Sequence, residues 1–100
     1  MTIDDYIASL KKETFPPGLP APLQALWHEA RGDWESAHKI VQGEDTAEAA
    51  WVHAFLHRKE GDAANAAYWY RRSKRPVSTD SLDSEWRSIA GDLLASGNVS

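Results

Sequence analysis

Between successive stretches of helical periodicity a glycine is followed directly by an aspartate, at Gly32-Asp33 and again at Gly61-Asp62. Glycine just past the last helical residue accepts the left-handed conformation that closes a helix, and the aspartate after it offers a side-chain oxygen to the free amides of the next helix. Each pair therefore predicts a tight turn between two packed helices. The flanking residues agree. Leu23, Leu26, Trp27 and Ala30 give one apolar face before the first turn, and Trp34, Ala37, Ile40 and Val41 give one after it. Around the second turn the same role falls to Ala47, Ala50, Trp51, Ala54 and Phe55, then to Ala63, Ala66, Trp69 and Tyr70. Gly43 closes the first hairpin, expected over 22–43. Asp45 and Glu48, at capping-box spacing, open the second, expected over 45–75 and stopped by Pro76.

The ends of the chain carry one further helix each. Ile3, Ile7 and Leu10, with Thr2 as a cap and Asp4 and Asp5 behind it, predict a helix near 3–13. Four of the five prolines then crowd into Phe15 to Pro22, where missing amide donors and fixed φ angles impose a linker, placed at 14–21, with Pro22 suited to the first turn of the next helix. A polar linker at 76–81 leads to Leu82, Trp86, Ile89 and Leu93, the apolar face of a last helix that ends near Gly97. The fold class read from this pattern is all-α: two stacked helical hairpins flanked by an N-terminal and a C-terminal helix, in a single domain.

Laying residues 26–41 over 55–70 matches His28 with His57, Gly32 with Gly61, Asp33 with Asp62 and Ala37 with Ala66, an offset of 29 residues. A period in the range of roughly 20 to 50 residues is the signature of stacked repeats, in which each unit buries its apolar face only against a neighbour. The run from Gly61 to Arg72 resembles the second helix of a tetratricopeptide or Sel1-like repeat. Ala66 and Tyr70 fit its A-x-x-x-F pattern, Pro76 stands where such repeats close, and Trp51 resembles the first-helix tryptophan. The resemblance covers about 21–76. It departs at Ala54-Phe55, where the family has Leu-Gly, at Arg58, where it has tyrosine, and in an offset shorter than the usual 34. It implies a module that holds peptides or partner proteins, and it transfers no catalytic motif.

Composition narrows the function further. One hundred residues, 42% of them hydrophobic, suffice for one core and not for two. No cysteine is present, which removes disulfides, thiolate metal sites and thiol nucleophiles. The opening residues show neither a signal peptide nor a membrane span, so a cytoplasmic protein is expected. Residues 51–76 hold six Lys/Arg against two Asp/Glu, while the flanking segments are acidic and the net charge is −4. The run Arg71-Arg72-Ser73-Lys74-Arg75 is basic, but cations in a helix's last turn complement its carbonyl end, and no nucleic-acid or membrane partner is expected.

The residues able to carry chemistry are few. His53 and His57 sit four apart on one flank of their helix, and an imidazole pair of that spacing binds a zinc-like ion when a third ligand arrives. The glutamate of an HExxH motif is missing, because position 54 is alanine, and no third strong ligand stands nearby in sequence. Through the repeat offset His57 corresponds to His28 and His53 to Gln24, which assigns all four to one polar groove on the surface lined by the first helices of the hairpins. Arg58 points inward and needs an anion, for which Glu29, Glu60 and Asp62 are the candidates. Tyr68 lies off the apolar face of its helix, where it packs on the last helix or meets a partner, and Arg72 belongs to the basic run. The expectation is a protein or peptide interaction module, with a second copy of the chain among its partners, binding through Gln24, His28, His53, His57, Tyr68 and Arg72, with no metal or other cofactor. The alternative is a small enzyme or metal-binding protein that uses His53 and His57, with Glu60 and His28.

Overall fold

The computed structural model describes residues 1–97, and these form six α-helices: α1 (Ile3–Ser9), α2 (Ala21–Ala30), α3 (Trp34–Gln42), α4 (Ala47–Glu60), α5 (Ala63–Arg72) and α6 (Leu82–Gly97). No strand occurs among the described residues. Their Cα radius of gyration is 12.5 Å, close to the roughly 13 Å of a compact chain of this length. None of these helices is long and apolar enough to cross a membrane.

The two turns are built alike. Gly32 and Gly61 adopt φ of +83° and +91°, and the amides after them fold back in the same way, Asp33 N–H to the His28 carbonyl and Asp62 N–H to the His57 carbonyl. Asp33 then caps α3 by accepting from the Ser36 amide, and Asp62 caps α5 by accepting from the Asn65 amide. Antiparallel packing of α2 on α3 and of α4 on α5 results directly from these turns.

Three helix ends differ from the sequence expectation. α1 stops at Ser9 rather than near residue 13, because the amides of Lys11 and Lys12 bond to carbonyls three residues back, a tightened last turn that ends the helix ahead of the prolines. α4 is capped by Thr46, whose hydroxyl accepts from Ala49 N–H, so Asp45 is released to pair with Arg72 at the surface. α5 ends at Arg72, and Lys74 turns left-handed at φ 62° before Pro76.

The core forms around α4, which is in contact with α2, α3, α5 and α6. Every residue from Ala49 to His57 is buried. Leu26, Trp27, Ala37, Val41, Trp86 and Ile89 close over it, while Trp34, Ile40 and Trp69, expected in the core, are half-buried at its edge. Three aromatic side chains tie into the core by hydrogen bonds: Trp34 Nε1 donates to the Leu56 carbonyl at 2.8 Å, Trp27 Nε1 to Ser9 Oγ at 3.1 Å, and the Tyr6 hydroxyl to the Leu23 carbonyl at 2.5 Å. Burial and the nearby Glu29 carboxylate push the Tyr6 phenol upward, so it remains a neutral donor.

Candidate functional site

The six residues expected to bind do not share one groove. The Gln24 amide donates to the Leu19 carbonyl at 2.7 Å, tying α2 to the proline-rich linker. His28 packs edge-on against Phe15 and Trp27, with ring centroids 5.8 and 5.4 Å away, and so serves that same junction. His53 and His57 are inside the protein, 3% and 8% exposed, which overturns the reading of both as groove residues on an accessible surface. One-sided periodicity misplaced them because α4 has no solvent face along its middle: the flank opposite Trp51 and Ala54 meets α3 and α5 rather than water.

What meets them is a third histidine that the sequence reading passed over. His38 lies on α3 and brings its Nε2 to 3.1 Å from Nε2 of His53, so one ring donates and the other accepts. The three rings are in mutual contact, with centroids 4.7 Å apart for His38 and His53, 5.3 Å for His38 and His57, and 4.9 Å for His53 and His57. Trp34 stacks on His38 (4.8 Å, 10° between planes) and Trp69 stacks on His53 (3.9 Å, 12°), so indoles wall the cluster on both sides. A signal for His38 did exist. Trp34 and His38 are four apart on α3 just as His53 and His57 are on α4, but pairing the two faces required knowing that α3 lies against α4.

Each ring has a distinct polar environment. His57 Nδ1 is 2.5 Å from Glu60 Oε2, one helical turn on. His53 Nδ1 has no hydrogen-bond partner, alone in this among the buried side-chain nitrogens and oxygens of the described residues. Burial, reinforced by His38 and His57, pushes the His53 pKa down to about 4. The half-buried His38 is also lowered, first by loss of solvent and then by His57, against an opposing pull from Glu60. His38 and His53 are thus neutral at pH 7, each with one protonated and one unprotonated ring nitrogen. A second group, His57 with Glu60 and Asp62, also brings ligand atoms together, but both Asp62 oxygens already accept from Asn65.

The exposed candidates form a separate patch next to this cluster. Tyr68 is 43% exposed and stands edge-on to Trp69 at 5.1 Å. The Arg72 guanidinium lies over both rings, 5.9 Å from Tyr68 and 5.4 Å from Trp69, donates to the Tyr68 hydroxyl at 3.1 Å and pairs with Asp45 at 3.2 Å. Further along the basic run, Arg75 stacks on Trp51 at 3.4 Å and lies 3.8 Å from Asp92.

Arg58 does find an anion, though none of the three expected. Its partner is Glu85 of α6, at 2.8 Å, with a second bond to the Asp80 carbonyl. Glu29 is taken by Lys59 and Glu60 by His57. Glu85 also accepts from the Tyr70 hydroxyl at 2.6 Å, so a carboxylate that is 2% exposed holds two donors and fastens α6 to the second hairpin. Burial, then the hydrogen bond and charge of Glu85, push the Tyr70 phenol upward.

Comparison of the chain with known protein families, with curated proteins and with solved structures finds no match. The chain is thus characterised by its own geometry: an all-helical globule with a walled trio of histidines and, beside it, an exposed patch of tyrosine, tryptophan and arginine.

Proposed function

We propose that this chain is a partner-binding module of the helical-repeat type, its hairpins stacked in the tetratricopeptide manner, and that it meets its protein or peptide partner through Tyr68, Trp69 and Arg72. The observation that carries this reading is the exposed Tyr68 ring, held beside Trp69 under the Arg72 guanidinium. Tyrosine, tryptophan and arginine are the residue types that dominate binding energy at protein interfaces. Arg72 also brings a replaceable anion. Its Asp45 partner has a side chain 96% exposed, and a pair so open to solvent contributes little, so a carboxylate on the partner can take its place. With Arg71, Lys74 and Arg75 nearby, the patch favours a partner segment that carries acidic and apolar side chains together. The like-built turns at Gly32-Asp33 and Gly61-Asp62 support the repeat reading.

A photo-activatable aromatic amino acid at position 68 tests this, with the same group at exposed Lys11 as control. The expected result is one dominant adduct at position 68 and none at position 11. The partner, once purified, should bind at least tenfold more weakly to Tyr68→Ala/Arg72→Ala at unchanged helical content. Adducts that do not distinguish the two positions, or equal affinity for the double variant, defeat the proposal. A cross-linked dimer would identify the partner as a second copy of the chain.

A further inference from the structure

We propose that His38, His53 and His57 form a binding site for a divalent transition-metal ion of the zinc class, shared between the two hairpins. One ligand nitrogen from each ring lies within 4.8 Å of the other two. The closest pair, Nε2 of His38 and Nε2 of His53, is 3.1 Å apart. A tetrahedral ion with metal–nitrogen bonds of about 2.0–2.1 Å separates its ligand nitrogens by roughly 3.3–3.4 Å, so two of the three positions need only a small adjustment. The third ring comes from the same helix as the second, one turn on, and its approach needs side-chain rotation rather than movement of the backbone.

A further feature fits a metal better than a filled core. The Glu60 carboxylate holds Nδ1 of His57 at 2.5 Å, which leaves Nε2 as the ligand atom. A carboxylate on the far nitrogen of a metal-binding histidine is the usual device for fixing its tautomer and raising its basicity. Stacking of Trp34 on His38 and of Trp69 on His53 already fixes two of the ring planes, so ordering the ligands on binding costs little.

The donor set also selects the ion. Three imidazoles suit zinc, cobalt, nickel or copper, and the absence of a carboxylate from the inner set disfavours calcium and magnesium. His38 is the half-buried member and gives the ion its way in, with a water completing the coordination. The sequence expectation of no metal rested on the lack of a third ligand on α4. His38 supplies it from α3. This site and the Tyr68 patch share Trp69 as a common wall but have no ligand in common, and the metal site does not rest on the partner-binding reading.

The test uses untagged protein, stripped with a chelator and then freed of it, titrated with Co(II) and afterwards with Zn(II). The expected result is one equivalent of cobalt taken up with the visible bands of a four- or five-coordinate nitrogen site, and its displacement by one equivalent of zinc. His38→Gln, on the accessible side, should keep the helical spectrum and lose those bands. Glu60→Gln should keep the stoichiometry while weakening zinc binding by about 10–100-fold. The proposal is overturned if the unaltered chain takes up no stoichiometric cobalt or zinc, or if His38→Gln binds either ion as tightly as the unaltered chain.

Discussion

Trp69 lies flat on His53, its ring 3.9 Å away and 12° from parallel, and it is the outer wall of a histidine whose other aromatic neighbours are two histidines. The indole is half-buried, so it screens the imidazole from water on the side of α5. Trp69→Ala should therefore cost about 2 kcal/mol, below the 3–5 kcal/mol typical of a fully buried tryptophan, and should raise the His53 pKa from about 4 toward 6.5. Denaturant unfolding reads the first effect and an NMR titration of the imidazole resonances reads the second. A His53 pKa unchanged in this variant would show that the other walls suffice to exclude water.

Acid should destabilise the protein through the same residue. His53 titrates at about 4 in the native chain against 6.5 when unfolded, so between those values the unfolded state binds a proton that the native state refuses. The stability it contributes is complete above about pH 6.5 and declines as pH falls toward 4, by an amount on the order of 2–3 kcal/mol, and the lowered His38 acts in the same direction. Urea unfolding of the unaltered chain and of His53→Asn at pH 7 and pH 4.5 isolates the effect. The variant should lose distinctly less stability on acidification, and parallel losses would contradict the assignment.

Glu85 carries more of the structure than its place near the start of α6 indicates. Removing it by Glu85→Ala strands the Arg58 guanidinium and the Tyr70 hydroxyl, and a cost of about 3 kcal/mol is expected by thermal or urea unfolding. Arg58→Met combined with Glu85→Leu should recover most of that loss, since an apolar pair needs no compensating charge. A double variant as unstable as Glu85→Ala would point to the Tyr70 hydrogen bond as the dominant contribution.

The two turns should respond equally to substitution. A Cβ added to Gly32 or to Gly61 would meet no atom within 4 Å, so the penalty arises from the positive φ alone. Gly32→Ala and Gly61→Ala should each cost about 1–2 kcal/mol, while D-alanine introduced by chemical synthesis should be nearly neutral at both positions. A difference well beyond 1 kcal/mol between the two sites would argue that the hairpins are not built alike.

These residues also show where sequence reasoning was sufficient and where it stopped. Gly32-Asp33 and Gly61-Asp62 act within a few residues of themselves, so the helices and turns they punctuate were legible from local chemistry. The histidines were not. Periodicity assumes that a helix has one buried face and one wet face, and α4, surrounded on all sides, violates that assumption between Ala49 and His57. His38 joins His53 across 15 residues and Arg58 joins Glu85 across 27, pairings that depend on how helices dock rather than on any pattern along the chain. That Tyr68 and Arg72 lie at the surface was legible because an aromatic off the apolar face and a cation at a helix end are visible locally.

A helix enclosed on every side governs how the molecule opens. The amides from Ala49 to His57 are reached by solvent only when several neighbouring helices move away together, so their hydrogen exchange should track global unfolding, while the ends of α1 and α5 exchange through local fraying. The hairpins, distinct as units of sequence, then behave as a single cooperative unit, because the helix that begins the second is also the centre on which the first is assembled.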